Sequence, residues 1–309
     1  MKIRYIPIHL GCCPDEPRCL LCAPPSPPGA DTIRALVEAA EGPKVVRFFG
    51  GAPPTDDQLA AIHGAPFEVR VRPDLLDRAG AARLIAAGCA AIELDALTFV
   101  DAALSASGRR YRAARVVAMS AALRDLGVSV GGVLAPGLPG TDHASCLADA
   151  TKAAGLWSFV RLHPVQVLAD SGLRELHMSR RYDALELGEA ITTCRAMVDL
   201  FEDAGVRVIR VGQQAGPDGL GRAVAGPRHS SLRELVEARR VFDRLQSALA
   251  TTQPGAAVTV RCAPADLSRV HGPYKQHIRS LRAACGLRSL RVTPDPNMAR
   301  GTLMVDLDA

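Results

Sequence analysis

Four of the chain's nine cysteines, Cys12, Cys13, Cys19 and Cys22, fall within eleven residues. Thiolates so close together converge readily on one metal centre, because a turn of this length can point three sulfurs inward without straining the backbone. A tetrahedral zinc site normally draws on a second pair of ligands, and Cys19-Leu20-Leu21-Cys22 has no matching CxxC or HxxxH downstream. An iron–sulfur cube with three protein ligands and one open iron suits the loop better. Zinc, or a pair of buried thiols, is the alternative. The other cysteines, Cys89, Cys146, Cys194, Cys262 and Cys285, are scattered singly. They are expected to be core residues, Cys194 above all.

Further along, a few residues stand out by type. Gly50-Gly51 ends an apolar run and reads either as a common turn or as a place where backbone must come close to a ligand. Arg161, within Phe159-Val160-Arg161-Leu162-His163, is a charge inside a strand and needs a partner there. Arg72 and Asp95 follow apolar runs; the plain readings are a solvated charge and a helix cap. His229 serves equally as a helix cap or a ligand.

These residues are placed by a repeating βα pattern. Ile3 to Leu10 reads as a strand leading into the cysteine loop, and the proline-rich stretch from Ala23 to Gly29 cannot continue any regular element. Strands are then expected at 45–49, 67–71, 90–94, 128–134, 157–162 and 206–211. Helices alternate with them at about 31–41, 56–62, 75–87, 111–126, 143–154 and from 187 onward. The last has Leu187, Ala190, Ile191, Cys194, Met197, Val198 and Phe201 on one face. About seven β-then-α units with largely apolar strands predict a parallel sheet covered by helices. The unusual residues each follow the carboxyl end of a strand, which favours a barrel whose loops share one face. After a glycine-rich stretch at 212–227 come a helix at 231–249 and then short strands and a helix. The expected organisation is therefore a barrel over 1–250 and a small α+β extension over 251–309.

Hydrophobic residues make up 48% of the 309 and charged ones 22%, with a net charge of +5, so wholesale disorder is excluded and charge alone gives no case for nucleic acid. An odd, scattered cysteine count does not form a secreted disulfide framework; a reducing cytoplasm is expected. No run approaches membrane-spanning length and the first residues lack a signal-peptide core, so no membrane association is expected.

Taken in order, Ile6-Pro7-Ile8-His9-Leu10-Gly11-Cys12, Pro14, Arg18-Cys19-Leu20-Leu21-Cys22, Phe48-Phe49-Gly50-Gly51, Arg72-Pro73-Asp74, Pro136-Gly137-Leu138-Pro139-Gly140 and Gly226-Pro227-Arg228-His229 resemble one family. It is the radical S-adenosylmethionine (SAM) superfamily, in the branch of the elongator catalytic subunit and the oxygen-independent coproporphyrinogen oxidase, without the acetyltransferase domain of the former. The resemblance covers about residues 3 to 242. It implies an α/β fold, a partial (β/α) TIM-like barrel of the radical SAM type. It implies a [4Fe-4S] cluster on Cys13, Cys19 and Cys22, with Cys12 the alternative first ligand, and SAM as second cofactor. Gly50 and Gly51 would admit the SAM amino group, Arg72 would meet its carboxylate or ribose, and Asp95 and Arg161 would face adenosine or substrate. Implied partners are a reductase or a flavodoxin- or ferredoxin-type electron donor, with a tRNA base or a small metabolite as substrate.

The pattern also departs from the family. Five residues separate Cys13 from Cys19 where the family has three, and Leu97 and Val133 stand where it is usually polar. The alternative is a non-catalytic iron–sulfur or zinc-binding descendant of the fold.

Overall fold

Apolar residues at every second position of each strand need a helix to cover them, and the chain supplies one after nearly every strand. The computed structural model describes residues 3–11, 20–21, 27–213 and 222–308. Its larger sheet is formed by β1 (Arg4–His9), β2 (Lys44–Phe49), β3 (Phe67–Val71), β4 (Cys89–Leu97), β5 (Ser129–Leu134), β6 (Phe159–Leu162) and β8 (Arg207–Val211), each paired with the next in chain order. Every pairing in it is parallel. Sequential order matters physically. Parallel crossovers are almost always right-handed, so an order with no reversal puts all the covering helices on one side and leaves the other face to curl inward. The result is a half-barrel of seven parallel strands, the partial TIM-like form that the family resemblance implies.

The outer layer consists of α1 (Ala30–Glu38), α2 (Asp56–Ala60), α3 (Arg78–Ala86), α4 (Asp101–Ala106), α5 (Ala113–Asp125), α6 (His143–Ala154) and α8 (Leu187–Asp203). Ile8, Val46, Phe48, Phe67, Val69, Ile92 and Leu94 are buried beneath it with Ile33, Leu84 and Leu123. Phe48 and Phe67 meet edge to face at 5.9 Å, a favoured aromatic geometry. The short strand β7 (Val167–Leu168) and the helix α7 (Gly172–Met178), both after β6, and β9 (Ala223–Ala225), which follows β8 and pairs with β7, are not foreshadowed by periodicity. Neither is α4. All are too short for a repeat to declare itself.

Asp149 on α6 ties that helix to the turn after β4, accepting from Thr98 Oγ1 at 2.6 Å and from the Phe99 amide at 2.9 Å. Burial outweighs those bonds and pushes its carboxyl above the ordinary value. The folded chain then holds this proton better than the unfolded one, so stability is greatest below the unfolded pKa and falls as pH rises through the folded one. Asp149→Asn is expected to flatten that fall, measured as urea midpoints from mildly acidic to neutral pH.

The chain divides into two compact units, Met1–Ser230 and Ser231–Ala309. In the second, β10 (Ala257–Cys262) lies between a parallel β11 (Ser289–Pro294) and an antiparallel β12 (Leu303–Asp308). The organisation expected from sequence places the helix at 231–249 in the barrel and begins the extension at 251. That helix, α9 (Leu232–Leu249), instead starts the second unit, because its stripe Val241, Leu245 and Leu249 shares a core with Val258, Val260, Val270 and Leu281. Two further helices, α10 (Leu267–His271) and α11 (Gln276–Ala284), complete it.

Candidate functional site

The residues with metal chemistry, Cys12, Cys13, Cys19 and Cys22, lie outside the described residues. What is described is how their loop is anchored. On its amino-terminal side the Gly11 carbonyl accepts from the Gly51 amide at 2.6 Å, and the Gly51 carbonyl accepts in turn from the Arg72 amide at 2.8 Å. Gly50 has φ +139°, a backbone conformation that side chains rarely adopt, and a Cβ there would lie 2.2 Å from the Gly11 carbonyl oxygen. Glycine is therefore required at this bend by two independent constraints. On the carboxyl-terminal side the Leu20 amide donates to the Ser107 carbonyl at 3.2 Å, and the Leu20 carbonyl accepts from Leu173 at 2.9 Å. Leu20 and Leu21 pack on an apolar cluster of Leu97, Ala135, Leu138, Val165, Val167, Leu173 and Tyr182. The cysteine loop thus springs from the carboxyl ends of the strands, with its first end tied to the diglycine bend.

Below that rim, the concave face is charged. In parallel register, residues directly opposite share a face, and the matched pairs here are Arg47 with Glu68, Arg70 with Glu93, and Arg161 with Arg210. Arg47 donates to Glu68 at 2.6 Å and Arg161 Nε to Glu93 at 2.6 Å. Arg161 and Glu93 are both buried, so this pair bridges the interior with little water to screen it. Gly131, between them in the sheet, leaves room for the Phe159 ring, which a Cβ there would meet at 2.2 Å.

Asp95, also buried, accepts from Arg109 Nη2 at 2.9 Å and stands 3.5 Å from Arg70 Nε. The Tyr111 hydroxyl donates to its backbone carbonyl at 2.7 Å, and burial pushes that phenol's pKa up. Asp95 is thus an interior carboxylate held by two guanidiniums, which corrects the reading of it as a helix cap. Arg72 is buried rather than solvated and grips Asp74 with two donors, Nε at 3.0 Å and Nη2 at 2.5 Å. Leu97, at the end of β4, has φ 67°, strained for a non-glycine residue, and is buried in the apolar cluster.

Of the residues singled out in the sequence, Gly50, Gly51 and Arg72 come together at the loop's base, and Asp95 and Arg161 line the interior. Glu93, Arg109, Arg70 and Arg210, which complete the interior network, were not singled out. The signal existed: charges recur at every second residue in Glu68-Val69-Arg70-Val71-Arg72 and Glu93-Leu94-Asp95, which marks a polar strand face. The isolated cysteines are buried, apart from a half-buried Cys285. Burial pushes the Cys146 thiol up to about 11 and Cys89 to about 12, as inert core thiols should be. Among the described residues, no cluster of three or more His, Cys, Asp and Glu is arranged to hold a metal, and no helix is long and apolar enough to cross a membrane.

The Radical_SAM C-terminal domain family matches residues 157–241. No curated protein sequence matches the chain. Among solved structures, the archaeal Methanocaldococcus infernus Elp3 with an N-terminal deletion has a TM-score of 0.61 at 16% identity, over 79% of this chain and 63% of that one. Coproporphyrinogen III oxidase (HemN) from Escherichia coli, described as a radical SAM enzyme, has a TM-score of 0.51 at 13% identity, over 66% of this chain and 53% of that one. Methylornithine synthase (PylB) has a TM-score of 0.51 at 14% identity, over 74% of this chain and 75% of that one. The chain spans less than two thirds of the Elp3 and HemN chains. Its half-barrel shares the fold of these solved structures, and the match over 157–241 is to a radical SAM C-terminal domain, in keeping with the resemblance read from its motifs.

Proposed function

We propose that the protein is a radical SAM enzyme whose [4Fe-4S] cluster is held by Cys13, Cys19 and Cys22 and whose substrate is a small metabolite or a tRNA base. The observation that carries this reading is the anchoring of the cysteine loop to the diglycine bend, where a strained Gly50 keeps a side chain out of the space beside Gly11. A diglycine bend beside the loop carries no side chain that would bar an approaching amino-acid group, and three thiolates leave one iron without a protein ligand. Held by Cys13, Cys19 and Cys22, such a cluster would supply the electron for reductive cleavage of SAM beside the substrate.

The chain's own residues then have ordinary tasks. Gly50 offers backbone groups at the rim, and Gly51 ties that bend to Gly11 and Arg72. Arg72, pinned by Asp74, presents a fixed positive edge there. The apolar cluster around Leu97 and Leu138 excludes water from the carboxyl ends of β4, β5 and β6. An electron donor of flavodoxin or ferredoxin type and a reducing cytoplasm suit such a site.

A second reading has its own support. Asp95 is already held by Arg109 and Arg70, and Leu97 is apolar, so two positions expected to meet the cofactor or substrate are turned to internal use. A binding protein that keeps the fold without the chemistry would look the same. Anaerobic reconstitution followed by dithionite and SAM separates the two: the enzyme reading expects 5′-deoxyadenosine, and a cluster-loaded protein that binds SAM without forming it leaves only the binding reading.

A further inference from the structure

The interior network does not close on itself. Arg161 and Arg210 are register partners on adjacent parallel strands, so two guanidiniums leave neighbouring positions on the same concave face. Arg161 has Glu93, whereas Arg210 donates only to the Gly212 and Gln213 carbonyls, from Nε at 3.1 Å and Nη2 at 3.3 Å, and has no carboxylate partner among the described residues. Burial and then the charges of Arg161 and Arg47 depress the Arg210 pKa, so the sheet holds this cation at a cost.

His163 follows β6 two residues after Arg161, and its Nε2 is buried without a hydrogen-bond partner. Burial, followed by Arg70, Arg161 and Arg210, holds its pKa well below the usual imidazole value and keeps it neutral. A neutral imidazole still offers one N–H donor. Among the described residues, two guanidiniums and one imidazole donor share a single carboxylate, Glu93, which describes a site suited to an anion.

We propose that Arg161, Arg210 and His163, at the carboxyl ends of β6 and β8, bind an oxyanion, the carboxylate or phosphate of a small-molecule substrate. The terminal Nη donors that the bonds to Glu93, Gly212 and Gln213 leave over on the two arginines can reach such a group, and Glu93 fixes the first arginine in place through its Nε. Only the ligand's standing as a substrate rests on the enzyme reading; the binding itself needs neither cluster nor SAM.

The test uses the full chain without cluster, titrated by calorimetry with inorganic phosphate and separately with malonate at constant ionic strength. The proposal expects saturable binding of one or both, with the tighter of the two naming the group. It expects affinity to fall about tenfold in Arg210→Met, less in His163→Gln, and not at all in Arg291→Met on β11. Should Arg210→Met fail to fold, Arg210→Lys keeps the charge but loses the fork, and is expected to weaken binding as well. No saturable heat with either anion, or equal binding by the Arg210 variants and the native chain, overturns the proposal. A cluster-loaded protein in which SAM displaces phosphate one for one also overturns it, because the site would then belong to the SAM carboxylate. Absence of anion binding alongside 5′-deoxyadenosine formation would sink the anion site and leave the enzyme reading standing.

Discussion

Gly50→Ala is expected to destabilise the first unit by about 3 kcal/mol, the combined order of a forced positive φ and a backbone clash. The obstacle is a main-chain oxygen, the Gly11 carbonyl, which would lie 2.2 Å from the new Cβ and cannot rotate away as a side-chain tip does. The bend must therefore open, and the hydrogen bond from the Gly51 amide goes with it. Urea unfolding followed by fluorescence reads this directly, because the chain's one tryptophan, Trp157, is buried in that unit. Gly188→Ala is the control. It sits in the first turn of α8 with nothing within 4 Å of a new Cβ, and helix propensity favours alanine, so no loss is expected. Equal midpoints for Gly50→Ala and the native chain would show that the bend is not held against the head of the cysteine loop.

Glu93→Leu is expected to cost about 3–5 kcal/mol, because it strands the Arg161 guanidinium in the interior beside Arg210. Both members of the pair are close to fully covered, at 10% and 8% side-chain exposure, so solvent relieves little of that cost. Glu93→Leu/Arg161→Leu is expected to recover most of the loss, since it removes the stranded charge and the repulsion with Arg210 together. The comparison needs only the three denaturation curves. A double variant no more stable than Glu93→Leu would mean that the pair is not the source of the cost.

Much of the barrel was legible because its strands and helices are long enough to show their periods. The strand at 67–71 and the helix at 143–154 coincide with β3 and α6. The partnerships inside it were not legible. Glu93 and Arg161 are 68 residues apart, and only the pairing of β4, β5 and β6 brings them to one face. Arg161 was recognisable as a strand charge in want of a partner, but nothing local says which carboxylate answers it. Leu97 reads in sequence as an ordinary strand residue, and its left-handed backbone follows from the irregular pairing with β5 after Leu94. The boundary at 231 was hidden for a related reason: the stripe on α9 announces that a core exists, not whose core it is.

The proposed iron–sulfur cluster on Cys13, Cys19 and Cys22 is the part of this reading on which the rest depends. Its most direct test is iron and acid-labile sulfide per chain after anaerobic reconstitution, in the native protein and in Cys13→Ser, Cys19→Ser and Cys22→Ser. The expected result is about four of each in the native chain and close to none in every variant. A colourless protein that retains zinc, or variants that load as much iron as the native chain, would contradict it.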